Sequence, residues 1–469
     1  MILLVVGILL ILVFWGAIFR RWQRGIYLLL VYLPFAGVVT ILLYPSPLPT
    51  LFKDIFFVLP AYISFFLLWM VSRAKVNVYL PKLVSAALLG LTALVFVHMF
   101  NPNVANWLVA AIGAKVWLFY IPLIIMVPVM VKHNGDLIKM FRIMVAIAWI
   151  PCAVGIIQLI GSLIFGYETT MQTFFGEAAA GATQGFARFD LGGYLYRIPS
   201  TFTFVSQYYG YTLAMVVPAF ALMRMDPSKK WRKFSKFILW LVITASFLSG
   251  ARAAFVFIPL LLALIYTFEG GLKGLARAVV LIPVFLLVAL GIAGIDSGVL
   301  FDHMRGLIPE HTLGMSNLYL QAFNQAPLGM GTGMNTGPAR YAFADQQGLA
   351  ALEGYFVKAL YELGIPGFFI VAALIILLMV YGYKAHQRIH DRKLRGCSAA
   401  LLAFIITIAV DSYKAGRIDL DPINVYFWMF AGLLLKLGYL DKLSQVSTKV
   451  RQTTVKMHQG FSAGRPYPT

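Results

Sequence analysis

The sequence predicts an all-α polytopic membrane protein of about thirteen transmembrane helices, with large loops on one side of the bilayer. Three observations lead there: a composition too apolar for a water-covered surface, apolar runs of spanning length, and basic residues that follow alternate runs. Of 469 residues, 61% are hydrophobic and only 12% charged, and the mean hydropathy is +0.83. A soluble domain carries about a quarter of its residues as charges. Soluble, disordered and disulfide-scaffold classes are therefore excluded. Cys152 and Cys397 both lie inside apolar runs and define no disulfide framework.

A spanning helix needs roughly 20 apolar residues to cross about 30 Å of hydrocarbon. Runs of that kind occupy residues 2–19, 26–44, 55–72, 83–99, 112–131, 143–165, 204–223, 235–249, 253–268, 278–295, 365–383, 397–411 and 422–437. The first lacks the basic start and small-residue cleavage site of a signal peptide, so it reads as a span. Between residues 235 and 268 the chain is apolar almost throughout, yet as one helix it would extend about 51 Å at 1.5 Å per residue. Ser249-Gly250-Ala251-Arg252 interrupts it, and reading that stretch as a tight turn between two helices preserves the alternation of basic loops.

Lys and Arg collect in cytoplasmic loops. Arg20, Arg21 and Arg24 follow the first run, which places the N-terminus outside. Later clusters, such as 224–236 and 384–395, keep the same side. The formal charge of +20 is thus a topology signal, and no nucleic-acid partner is implied. Residues 1–443 read as a single polytopic domain, without internal repeats, and 444–469 as a flexible basic cytoplasmic tail. The loops at about 166–203, 296–364 and 412–421 fall outside, and the two longer ones would form an active face.

Arginines on the outer side break the charge rule and need a reason. Arg252 stands at the membrane edge and Arg197 just before the seventh run. Each could be a snorkelling side chain that reaches lipid headgroups or a loop carboxylate. Each could equally bind an anion, because a guanidinium keeps its charge and offers a planar fork that suits phosphate. Arg188, Arg305, Arg340, His303 and Gln207 are further candidates for substrate binding in or beside the outer loops. His303 and His311 have no third ligand nearby to complete a zinc site, and an acid–base role for Asp302 with His303 stays open.

Residues 353–367 read as a helix entered from the outer loop and broken at Gly364, Pro366 and Gly367. Glu353 at its start is either a residue favoured by the helix dipole or a general base at the membrane surface. Lys358 and Glu362, four apart, are expected to pair with each other. Pro327-Leu-Gly-Met-Gly-Thr-Gly-Met334 has neither a preceding strand nor a following Lys, so it is not a nucleotide loop. It would let the backbone approach a ligand or another helix.

Four segments together resemble the superfamily of bacterial O-antigen polymerases and O-antigen ligases. They are the run from Arg197 to Phe204, Leu248 to Phe255, the Gly329–Gly333 turn, and Glu353 to Gly367, covering roughly residues 195–370. The resemblance implies a multi-spanning membrane glycosyltransferase fold of the GT-C-like type, without metal or cofactor, in the bacterial inner membrane. Its active face would be periplasmic and its C-terminus cytoplasmic. It implies that Arg197 and Arg252 engage a diphosphate, with Glu353 as the catalytic carboxylate. The ligase branch has a His where this chain has Glu353, which favours a polymerase of O-antigen or exopolysaccharide units. The implied partners are a polyprenyl-diphosphate-linked oligosaccharide donor, a glycan acceptor, the lipid bilayer, and a chain-length regulator and flippase. Ligation to a lipid A core, or flipping of lipid-linked oligosaccharide, are the alternatives.

Overall fold

The computed structural model describes residues 12–43, 48–71, 79–104, 106–177, 188–189, 195–293, 297–343 and 349–462. Among the described residues the regular structure is helical apart from a two-residue antiparallel ladder between Arg188–Phe189 and Leu195–Tyr196. We number the helices α1 (residues 12–20), α2 (Gln23–Leu42), α3 (Pro49–Val71), α4 (Lys82–Met99), α5 (Trp107–Met130), α6 (Asn134–Phe165) and α7 (Tyr167–Phe175). There follow α8 (Val205–Met225), α9 (Lys229–Leu248), α10 (Ala254–Ala293), α11 (Ser297–Gln325) and α12 (Gly337–Ala342). The last three are α13 (Tyr355–Gln387), α14 (Arg392–Asp411) and α15 (Ile423–Ser462).

Among the described residues, nine helices are long and apolar enough to cross a membrane. The chain is a membrane-embedded helical protein. Of the thirteen runs expected from sequence, the beginning of the first lies outside the described residues. The seventh and eighth form α8 and α9, which are long but less apolar, and the tenth is the continuation of α10 past a break at Gly271. There Gly274 turns back so closely on the Tyr266 carbonyl that a Cβ would lie 1.7 Å from its oxygen.

Burial explains the polarity of α8. Its tyrosines Tyr208, Tyr209 and Tyr211 and its Thr212 are buried, with Gly210, Ala214 and Ala219 letting neighbours come close. It packs against α6, α9 and α14, so protein rather than lipid surrounds it and its sequence need not be uniformly apolar. The spans of α14 and α15 are likewise mostly inside the bundle. The outer ring turns large apolar side chains outward, including Trp149, Ile160, Trp240, Phe369 and Ile376, as contact with hydrocarbon requires.

Connectivity brings the 249–253 turn, the 412–422 turn and the entry to α8 to one end of the bundle; the 226–228 and 388–391 turns lie at the other. At that other end Arg142 grips Asp226 in a bidentate pair at 2.7 and 2.8 Å, and Asp441 accepts from the His390 and Asp391 amides. The expected flexible tail is in part a continuation of α15, whose backbone stays helical to Ser462. Good helix formers such as Gln445, Lys449 and Arg451, with no proline among them, account for this; residues 463–469 lie outside the described residues.

This arrangement fixes sidedness. Cysteines introduced by Arg252→Cys and Glu353→Cys are expected to react with a membrane-impermeant maleimide from one side of the bilayer, and Ser228→Cys and Asp391→Cys from the other. Labelling of positions 252 and 353 from opposite sides would contradict the fold.

Candidate functional site

Two backbone segments meet at the first of these ends. The Ile198 amide donates to the Ser249 carbonyl at 3.0 Å, joining the entry of α8 to the turn between α9 and α10. Gly250 sits at φ +72°, and a Cβ there would lie 2.4 Å from the Tyr196 oxygen and 3.2 Å from the Arg197 Cα. Three residues of the Ser-Gly-Ala-Arg turn thus have a local reason. Ser249 closes the end of α9 through its hydroxyl, which donates to the Ser246 carbonyl at 2.7 Å. Gly250 supplies the left-handed backbone and the close approach. Arg252 then emerges, exposed, at the start of α10, where the positive end of the helix dipole disfavours a cation unless an anion joins it.

Arg197 is half-buried. Burial lowers its pKa, and the neighbouring charges of Arg252 and Arg417 lower it further, against an opposing contribution from Tyr167; a guanidinium remains protonated all the same. The residues after it are threaded between helices. Ser200, at φ +55°, donates through its hydroxyl to the Pro151 carbonyl, while the Gln158 side-chain amide donates to the Ser200 carbonyl at 3.1 Å. Thr201 donates to the Pro34 carbonyl, and a Cβ on Gly37 would strike Phe202 at 2.3 Å. Gln207, a candidate for substrate contact, accepts from the Thr203 and Phe204 amides at 3.2 and 3.3 Å. Its carbonyl oxygen is therefore engaged in capping the start of α8.

A third segment completes the site, the turn between α14 and α15. Arg417 folds back so that its Nε donates to Asp411 at 2.9 Å, and its guanidinium lies 5.0 Å from the Tyr209 ring centre. Further along, Asp419 pairs with Lys358 at 2.6 Å and Asp421 with Lys53 at 2.7 Å. Three ion pairs to α14, α13 and α3 thus hold one short turn. The Tyr355 amide donates to the Ser412 carbonyl at 3.0 Å, which docks the start of α13 on the same turn and leaves Glu353 exposed beside it. Burial lowers the Lys414 pKa; Glu353 and Asp411 pull the other way, and Arg252 and Arg417 add to the lowering. Arg197, Arg252, Lys414, Arg417, Glu353 and Asp411 therefore share one electrostatic neighbourhood.

The glycine-rich segment serves packing. Gly329, Gly331 and Gly333 all have positive φ. Around them Met330 and Gly331 donate to the Tyr361 and Glu362 carbonyls at 2.8 and 3.0 Å, which the break of α13 at Gly364 leaves without helical partners. The expected Lys358–Glu362 pair does not form. Lys358 turns to Asp419 and lies 4.9 Å from the Trp117 ring centre. Glu362, fully buried, accepts from Trp117 Nε1 at 2.7 Å, the Asn335 amide at 2.7 Å and the Thr336 hydroxyl at 2.9 Å. Partners from other segments displace the i, i+4 contact because both side chains are desolvated, where a carboxylate gains more from several aimed donors than from one flexible ammonium.

Arg340 belongs to this packing region. It donates to Asn335 at 3.1 Å and to the Ala350 carbonyl. Arg305 is exposed on α11, and nothing in the described contacts brings it to the cluster. The Arg188 backbone pairs with Tyr196, next to Arg197. The side chains of Arg188, His303, Asp302 and His311 lie outside the described residues. Among the described residues no three His, Cys, Asp or Glu side chains group as metal ligands. Sequence reasoning brought Arg197, Arg252 and Glu353 forward and missed Lys414, Arg417, Asp411 and Tyr209. The available signal was the same one that marked Arg252, namely basic residues, Lys414 and Arg417, in a loop assigned to the outer side. No protein-family model and no curated protein matches the chain.

The approach at Gly250 yields a direct test. Gly250→Ala is expected to cost about 1–3 kcal/mol, the range for a non-glycine residue held in a sparsely populated backbone region, read as a lower thermal midpoint in detergent. An unchanged midpoint would show that the turn relaxes away from Tyr196.

Proposed function

We propose that the chain is a membrane glycosyltransferase that moves an oligosaccharide from a polyprenyl diphosphate to a hydroxyl of an acceptor glycan, polymerising O-antigen or exopolysaccharide units. The observation that carries this reading is that Arg197, Arg252 and Glu353, from three distant segments, share one electrostatic neighbourhood at one end of a membrane-embedded bundle. Clustered guanidinium groups suit a phosphate-bearing headgroup, and a membrane end is where a lipid headgroup lies. The resemblance of residues 195–370 to the O-antigen polymerase and ligase superfamily adds the glycan. Glu353 in place of the ligases' His favours the polymerase branch.

In this mechanism Glu353 accepts the proton of the acceptor hydroxyl as its oxygen attacks the anomeric carbon. The carbon–oxygen bond to the diphosphate breaks, its electron pair leaves with the phosphate oxygen, and the anomeric centre inverts. Arg197 and Arg252 bind the charge that develops on the leaving diphosphate, held in place beforehand so that little reorganisation accompanies the step. Basic loops at the opposite end, such as Lys229, Lys230, Arg232 and Lys233, support a cytoplasmic position for that end by the charge rule. The site would then face the periplasmic side of the inner membrane, and a flippase would supply its donor.

Purified protein with a defined polyprenyl-diphosphate oligosaccharide tests the proposal. Glu353→Gln is expected to abolish chain extension while keeping the thermal midpoint. Arg252→Lys, which retains charge and loses the fork, is expected to lower kcat by about 10²–10³, as loss of a transition-state donor does. Extension by Glu353→Gln at the wild-type rate would remove that carboxylate from the mechanism.

A further inference from the structure

The turn between α14 and α15 has no part in the mechanism above, yet it is firmly held at the site. Ion pairs at Asp411, Asp419 and Asp421 anchor it to three elements. Structural anchoring alone would use acidic residues facing cations, as Asp419 and Asp421 do. Arg417 is different. Its Nε is committed to Asp411, its face lies over Tyr209, and its side chain is only 11% exposed. Among the described residues its two terminal nitrogens have no hydrogen-bond partner. A guanidinium gripped along one edge by a carboxylate and over one face by an aromatic ring presents its remaining donors in a fixed direction. Those donors lie in the neighbourhood of Arg197, whose backbone is fastened to the Arg252 turn. Lys414, three residues earlier, feels the charges of both Glu353 and Arg252 and so shares that electrostatic neighbourhood.

We infer that the 411–417 turn is a third anion-binding arm of the site: Arg417 and Lys414 bind phosphate oxygens, and Asp411 and Tyr209 act as positioning residues that aim the Arg417 fork. The inference rests on the reading of the site as one that takes a phosphate-bearing lipid headgroup, and it adds to Arg197 and Arg252 a pair of ligands from a third segment of the chain. Pre-anchoring of the turn means that no loop has to be ordered when the anion enters, which is where much binding energy is otherwise lost. Two phosphates would then be held by arms from three separate segments, and a single orthophosphate would leave part of the donor set unused.

The test uses the full-length protein in detergent, titrated calorimetrically with inorganic pyrophosphate and, separately, with orthophosphate. Wild type is expected to bind pyrophosphate more tightly than orthophosphate. Arg417→Lys keeps the Asp411 pair and is expected to weaken pyrophosphate binding about tenfold, the scale of one charge-assisted hydrogen bond. Lys414→Gln is expected to weaken it severalfold; it leaves the Asp411 contact alone and decides the matter if Arg417→Lys does not fold. Asp411→Asn should weaken pyrophosphate binding while leaving all four cations in place, a loss that a purely local anchoring role would not produce at unchanged thermal midpoint. Arg224→Lys, at the opposite end of the bundle, should bind as wild type. If wild type binds pyrophosphate and Arg252→Lys loses it while Arg417→Lys and Lys414→Gln titrate as wild type, the third arm is wrong and the phosphate site stands. If wild type binds neither anion, the phosphate reading of the whole site falls together with the arm.

Discussion

The backbone of Gly250 lies against Tyr196 and Arg197 so closely that no side chain fits between them, and the site follows from that contact. Two arginines repel each other, and left to diffuse they would separate. Here the repulsion is overcome by backbone: the Ile198–Ser249 hydrogen bond, the left-handed turn at Gly250, and the threading of residues 200–203 between α2 and α6. The backbones that carry the two cations are thus brought together by groups that bear no charge.

The facing side of the site is built the other way. The turn from Asp411 to Pro422 is held by ion pairs, in positions where both partners are largely removed from water. Such pairs contribute little net stability, because desolvation offsets most of their attraction, but they specify geometry since breaking one strands a buried charge. Around α13 a similar logic holds. Glu362 draws Asn335 and Thr336 in from beyond the glycine-rich segment, and the interrupted helix offers its carbonyls to that segment's amides. The platform under Glu353 is thus rigid although Glu353 itself is exposed.

Much of the membrane architecture was legible because hydrocarbon acts on each segment independently. An apolar run of spanning length must be a helix wherever it lies, and basic residues sort by side. The turn at 249–252 could be deduced because a single crossing would have inverted every later basic loop. The break at Gly364 was marked by Gly and Pro. A span can be less apolar where protein replaces lipid as the surroundings: α8, read from sequence as the run 204–223, is central because its tyrosines meet other helices. Polar pairings were the least legible. Lys358 and Glu362 are neighbours along one helix face, but each is taken by a residue from elsewhere.

By itself the sequence determined that the chain is helical and lies in a membrane, which loops share a side, and that Arg197 and Arg252 stand where cations are not expected. These follow from hydropathy and charge, which act residue by residue through the solvent. Only the tertiary structure decided that Gln207 caps a helix, that Arg340 belongs to loop packing, and that the 411–417 turn joins the arginines and Glu353. Tyr209 and Asp411 meet across 202 residues of chain. Which polar groups meet at such separations depends on how close the intervening helices can pack, and no local pattern encodes that.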